Sequence, residues 1–250
     1  HTRVFRNGVP ANDAGCGWYD FGHDYATGRE TIKVVNGVNS VLYGSGSLGG
    51  TIFIKDDLSK DVSVVRLGDK HQFMSHTAKG FNLSYFNVDN GSVRSDNDES
   101  DNYLNMTARG QFDTGEFTTN VSATSYDYDY DNCYTASFSQ SNDCSQLGTK
   151  GSLSVRNDNY TFGYSFNDAK YKTEGVETYS SDAERAYVDT RHTVGNNLYG
   201  GTVEYEKYEG MSQDSISAYV LLNYEPINIG LRLSEDAFVY RIGSAKGDFF

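Results

Sequence analysis

The chain has 250 residues and a formal net charge of −13, long enough for one large or two modest domains with a sizeable core. The acidic excess argues against a nucleic-acid partner, because binding phosphates needs clustered Lys and Arg. With 26 Gly, 20 Tyr and 14 Phe against 2 Pro and 3 Met, the composition favours strands and turns over helices.

His1–Pro10 lacks the charged, then apolar, then small pattern of a secretory signal peptide. The chain starts and stops within patterned sequence, as expected of an internal piece of a longer one. From His1 to about Lys55 the texture is Gly-rich and mixed, with short strands predicted at Arg3–Arg6, Thr31–Val35 and Thr51–Ile54. No run of about 18 apolar residues occurs, so no membrane-crossing helix is predicted. That leaves membrane strands open: each needs only about 9–11 residues with one apolar face, which keeps mean hydropathy low, here −0.59.

From about Asp61 onward apolar and polar residues alternate. Leu104, Met106, Ala108, Gly110 and Phe112 share a face opposite Asn105, Thr107, Arg109 and Gln111. Tyr160, Phe162, Tyr164 and Phe166 oppose Thr161, Gly163, Ser165 and Asn167; Ile216, Ala218, Val220, Leu222 and Tyr224 form a further row, as do Ile227, Ile229, Leu231 and Leu233. A period of two sustained over this length means strands with one apolar and one polar face, and about twelve are expected by Phe250. Tight turns are predicted at Asp113–Gly115, Asn157–Asn159, Gly195–Asn197 and Glu225-Pro226. Between them fall longer polar loops at Asp89–Asn102, Asn132–Lys150, Gly175–Glu184 and Glu209–Gln213. Short turns alternating with long loops mark an outer-membrane β-barrel. A soluble sandwich would also alternate, but its polar faces should carry more Lys and Glu to discourage edge pairing; here they are mostly Ser, Thr, Asn and Gly. Tyrosines near strand ends (Tyr126, Tyr128, Tyr130, Tyr171, Tyr205 and Tyr208) are expected to form an interfacial girdle.

Ile32–Ile54, reading IKVVNGVNSVLYGSGSLGGTIFI, resembles the plug signature of TonB-dependent outer-membrane receptors, approximately I-E-V-x-R-G-P-x-S-x-L-Y-G-S-x-A-x-G-G-x-I-N-I. Upstream, Val4–Asn12 resembles the strand and turn written V-x-I-D-G-V-P-x-N. Gly37, Ser40, Tyr43, Gly44, Gly49 and Gly50 carry the match, and in that family they are structural. No Lys follows the glycines and no amphipathic helix succeeds them, which opposes a phosphate loop. Asn36 and Val38 stand where the family has Arg and Pro, leaving that arginine's plug-to-barrel contact without its usual residue. The resemblance implies a mainly β chain: residues 1–57 as the C-terminal part of a small α+β plug domain, and 58–250 as the N-terminal half of an antiparallel transmembrane barrel, about 12 of 22 strands. Strand and loop lengths resemble the cobalamin-receptor branch.

The implied function is import of a scarce nutrient, a siderophore or other metal chelate or cobalamin, across the outer membrane of a Gram-negative bacterium. Implied partners are membrane lipid, the small-molecule ligand, and TonB through a TonB box outside this sequence. The rivals are a binding or signalling receptor without transport and a secreted soluble sandwich or adhesin. By the same resemblance the ligand would meet the plug's apical loop, where Asn12, Asp13, Trp18 and Tyr19 are the candidate contacts; an indole and a phenol suit stacking on a planar or apolar ligand.

Cys133 and Cys144 enclose a polar, turn-rich stretch, and a disulfide between them implies an oxidising compartment; Cys16 is left over. Asp127, Asp129 and Asp131 alternate along one strand and, with Asp143, would suit a structural Ca²⁺, as in some cobalamin-type receptors; a solvated acidic loop is the plainer alternative. No other cofactor is called for. His23, His71, His76 and His192 stand apart, and no nucleophile elbow or zincin motif occurs, so no enzyme is expected.

Overall fold

The computed structural model describes residues 2–12, 17, 19, 21, 30–36, 40–44, 47, 49–89, 102–130, 133–135, 137–141, 143–209, 211–224, 227–234 and 238–244. The first part of the chain forms a small sheet of β1 (Arg3–Arg6), β2 (Val9–Pro10), β3 (Glu30–Asn36) and β4 (Gly50–Asp56), with a one-turn helix α1 (Ser40–Tyr43) before β4. The strand order is β2-β1-β4-β3, β1 and β4 being parallel. Asn7 and Gly8, both at positive φ, make the tight β1–β2 turn; a right-twisted hairpin accepts that backbone hand. Phe5, Val9, Val41, Leu42 and Tyr43 are buried together, with Phe5 5.5 Å from both the Tyr43 and Phe53 rings.

Twelve longer strands form one continuous antiparallel sheet. It runs through β5 (Val62–Leu67), β6 (His71–Ala78), β7 (Phe81–Asp89), β8 (Asn102–Thr114) and β9 (Phe117–Tyr130). A separate small hairpin follows, β10 (Cys133–Tyr134) and β11 (Gln140–Ser141). The large sheet resumes with β12 (Cys144–Arg156), β13 (Tyr160–Thr173), β14 (Val176–Val194), β15 (Asn197–Tyr208), β16 (Met211–Tyr224), β17 (Ile227–Ser234) and β18 (Phe238–Ser244). β9 pairs with β12 across that hairpin. The edges are β5 and β18, so these strands do not close on themselves. One sheet of this kind is not the pair of packed sheets that defines a sandwich.

The count of strands agrees with the alternation, but three connectors do not. The loop expected at Asn132–Lys150 holds the β10–β11 hairpin and the start of β12. β13 and β14 meet at a two-residue turn, Glu174 and Gly175, both at positive φ, where a ten-residue loop was expected at Gly175–Glu184. Likewise β16 begins at Met211, so Glu209–Gln213 is mostly strand. The reason is environmental. The first residues of β14 are exposed along both faces, so nothing there imposes a hydrophobic period, and a polar ribbon reads as a loop.

Burial along the large sheet is inverted relative to a soluble protein. One face carries Met106, Val121, Leu153, Phe162, Tyr164, Phe166, Val203 and Ile216, all exposed, with Met106 at 51% and Ile216 at 53%. The opposite face carries Asn105, Thr107, Arg109, Asn120, Thr124, Arg185, Thr202, Glu204 and Ser217, all buried. Water around the first face would leave a broad apolar surface unsatisfied; hydrocarbon would not.

Candidate functional site

The polar face of the large sheet is the one on which the small domain sits, and it is the inner wall. Strand β2 lies against β13, and α1 against β16, β17 and β18. Alternation places Arg185 on β14, Glu204 and Glu206 on β15 and Arg232 on β17 along this wall. Arg3 of β1 donates to both Glu204 carboxylate oxygens, at 2.5 and 2.6 Å, and to the Tyr43 carbonyl at 3.0 Å. Burial alone would lower the Arg3 pKa, but the Glu204 charge and hydrogen bond outweigh it, and the value rises above the ordinary guanidinium range. Arg3 therefore stays cationic at any accessible pH.

Arg185 bonds Glu206 through Nε at 2.6 Å and lies 3.1 Å from Glu204. Its Nη1 donates to the backbone carbonyls of Pro10 at 3.2 Å and Asn12 at 2.5 Å. Arg232 caps the end of α1, donating to the carbonyls of Val41 at 3.2 Å and Leu42 at 3.4 Å, and is held by the hydroxyls of Thr202 and Ser217. On the other side Arg109 of β8 pairs with Glu30 at 3.0 Å, while Arg6 pairs with Asp56 at 2.5 Å. Thus the contact expected of an arginine at position 36 is made by others: Arg3 from the small domain, and Arg109, Arg185 and Arg232 from the wall.

Above these ion pairs, toward the end where the β10–β11 hairpin lies, the inner wall is lined with tyrosine. Tyr103 stands 5.1 Å from Tyr128, Tyr126 stacks on Tyr128 at 5.4 Å, and Tyr171 lies 5.4 Å from Tyr179. Polar neighbours orient the rings: the Tyr126 hydroxyl donates to Asn167 at 3.1 Å, and Gln146 donates to the Tyr171 hydroxyl at 3.1 Å. Tyr179 and Tyr208 meet through their hydroxyls. Tyr126 and Tyr128 are buried with Ala169. The girdle expected of six tyrosines is thereby corrected: Tyr205 faces outward, while Tyr126, Tyr128, Tyr130, Tyr171 and Tyr208 do not. Their strand parity puts them on the same face as Thr124, Asn167, Glu204 and Glu206, which is the inner one. An outward aromatic rim exists instead near the short turns, where Phe81 meets Phe112 at 5.0 Å and His192 lies between Tyr160 and Tyr199 at 5.5 and 5.6 Å.

The candidates read from sequence fall in different places. Asn12 spends its side chain on the loop itself: its Oδ1 accepts from the Val4 amide at 2.7 Å, and its Nδ2 donates to the carbonyls of Thr2 at 3.0 Å and Gly17 at 2.9 Å. It braces the loop from within. Tyr19 makes an edge contact with Phe21 at 4.7 Å; Asp13, Trp18 and Cys16 lie outside the described residues. Cys133 and Cys144 are joined by a disulfide, Cα atoms 6.0 Å apart, closing the β10–β11 hairpin. Asp127 and Asp129 point away from the inner wall, alternating with Tyr126 and Tyr128. The Asp143 carbonyl accepts from the Glu174 amide at 2.8 Å. Among the described residues no three His, Cys, Asp or Glu groups gather as a metal site; a calcium ion would need Asp131, which lies outside them, to join Asp127 and Asp129. Of the plug-motif residues Gly37 is outside the described set. Ser40 and Tyr43 are buried in α1. Gly44 has φ +82 and an added Cβ would lie 2.8 Å from the Arg3 guanidinium; Gly50 has φ +123 and would meet the Val35 carbonyl at 2.8 Å. Both therefore require glycine. Gly49 is in the turn before β4.

No family profile matches the sequence, and no curated protein matches it. Solved structures do match, and the class they define is that of the TonB-dependent siderophore receptors, whose β-barrel fold this chain shares. The siderophore receptor PiuA of Acinetobacter baumannii aligns with a TM-score of 0.52 at 13% identity, over 92% of this chain and 49% of that one. BauA, the ferric preacinetobactin receptor of the same organism, aligns at 0.52 and 11%, over 96% and 52%. FpvA of P. aeruginosa, solved in a pyoverdine–iron complex, aligns at 0.52 and 12%, over 98% and 46%. The chain spans about half the length of each, and the likeness is one of fold.

Proposed function

We propose that this chain is part of a TonB-dependent outer-membrane receptor that captures a ferric chelate on the tyrosine-lined wall and passes it to the periplasm. The observation that carries this reading is the inverted sheet: an exposed apolar outer face, a buried polar inner wall, and a small domain docked on that wall. Strands β8 and β9, of 13 and 14 residues, exceed the about 9–11 needed to cross a bilayer. The small domain then acts as the plug, and residues 58–250 as the first part of the barrel. Tyrosines present flat, amphipathic rings at low entropic cost, which suits an aromatic or amide-rich chelate. A ferric chelate ranks ahead of cobalamin because the neighbours in fold are named for iron chelates. Energy would come through TonB.

The test is uptake of radiolabelled ferric chelates, and separately of labelled cobalamin, by cells expressing the full-length protein with and without TonB. Iron uptake that disappears without TonB is expected. Binding without uptake would point to a signalling receptor, and recovery of the protein from the soluble periplasm would sink the membrane reading.

A further inference from the structure

Among the inner-wall glycines that sit inside strands with no turn to make, two face the small domain instead of the wall's own tyrosines. Gly163 lies within β13 and Gly230 within β17, both at ordinary strand φ, where glycine costs entropy and packs nothing. Each faces a valine of the small domain. A Cβ built on Gly163 would lie 2.2 Å from Val9 Cγ2, 2.6 Å from Cγ1 and 3.0 Å from Cβ; one built on Gly230 would lie 3.0 and 3.3 Å from the two Val41 methyls and 3.2 Å from Leu221 Cδ1 of the wall. Val9 and Val41 are almost wholly buried.

Beside each notch stands an arginine of the wall. Arg185 bonds the carbonyls of Pro10 and Asn12, one and three residues past Val9. Arg232 bonds the carbonyls of Val41 itself and Leu42. The pattern is the same twice: an apolar knob in a glycine notch, with a guanidinium on the adjoining backbone. On the wall side the knobs need the absence of a side chain, and on the domain side the clamps read carbonyls that any residue has.

We infer that Gly163 with Arg185, and Gly230 with Arg232, are two docking sockets through which the wall seats the small domain and keeps the lumen shut. The inference rests on the plug reading above. It explains why strands built for β-branched and aromatic residues keep glycine at these positions. A methyl at position 163 overlaps both Val9 methyls, at 2.2 and 2.6 Å, while the Val9 Cβ at 3.0 Å is only a tight contact; with both methyls present the domain itself must lift.

The experiment uses the full-length protein in cells. Gly163→Ala should shift the balance between seated and lifted domain by about tenfold. The readout is admission of vancomycin, which an intact outer membrane excludes. Val9→Ala in the same chain removes both clashing methyls and should restore the seal. Gly201→Ala, on the outward face of β15 where an added Cβ meets only the Ser217 carbonyl at 3.1 Å and no residue of the small domain, is the strand-glycine control and should stay sealed. Gly230→Leu should leak independently of Val9. Barrel assembly is followed in parallel by heat-modifiable mobility of the membrane fraction. If Gly163→Ala assembles and excludes vancomycin as the parent does, or if Val9→Ala fails to restore the seal, the sockets are wrong. If the parent never reaches the membrane, the plug reading fails instead.

Discussion

Leu153 is 43% exposed on the apolar outer row of β12, in register with Val121 on one side and Tyr164 on the other. On a soluble sheet, replacing such an exposed leucine with arginine would change stability by no more than about 0.5 kcal/mol. Against hydrocarbon the same change costs about 2–4 kcal/mol near the midplane, or roughly 30- to 700-fold in the folding equilibrium. Ser145 supplies the internal comparison. It lies on the same face of the same strand, eight residues and about 26 Å away, in register with the charged Lys172 and Asp129 and so beyond the apolar band. Ser145→Arg should cost about 0–1 kcal/mol. The assay is urea-induced unfolding of the full-length protein in phospholipid vesicles, read by tryptophan emission and gel mobility. Equal, small effects at both positions would falsify the lipid-facing assignment, because only a depth-dependent solvent separates two arginines on one exposed strand face.

Three further outcomes follow from the same geometry. Cutting the Cys133–Cys144 disulfide should cost the β10–β11 hairpin about 3 kcal/mol by the loop-entropy relation; hydrogen exchange with and without reductant should show the loss there and not in β12 or β13. Arg185→Met leaves Glu206 without its partner while Glu204 keeps Arg3, so the loss should sit at the low end of about 3–5 kcal/mol. It should appear as faster proteolysis of the small domain, and unchanged proteolysis would show that the Pro10 and Asn12 carbonyl contacts do not hold it. Tyr179 is 42% exposed on the inner wall, open to a ligand, and Tyr179→Ala should weaken ferric-chelate binding by about five- to tenfold in a fluorescence titration; undiminished affinity would remove that ring from the site.

Much of the architecture is local and so was legible in the chain alone. Period-two alternation follows from strand geometry, and it identified the twelve strands, the turns at Asn157–Asn159 and Gly195–Asn197, and the apolar row that faces outward. The short strands of the first part appeared where Val, Ile and Phe cluster, and the order of the glycine motif ahead of a barrel pattern pointed to the fold. What alternation does not carry is the identity of a face where hydropathy is uniform. Tyr126 and Tyr128 share the parity of Thr124, but the clustering of tyrosine near strand ends suggests an outer rim; the folded sheet sets Tyr126 beside Asn105 and Asn167 on the inner wall. The start of β14 failed because it is polar on both sides. The docking contacts were out of reach altogether: Arg185 and Asn12 are 173 residues apart, and nothing near Gly163 announces that Val9 will fill it. A glycine in a strand is a local cost with a distant cause, and only the folded chain brings that cause within contact.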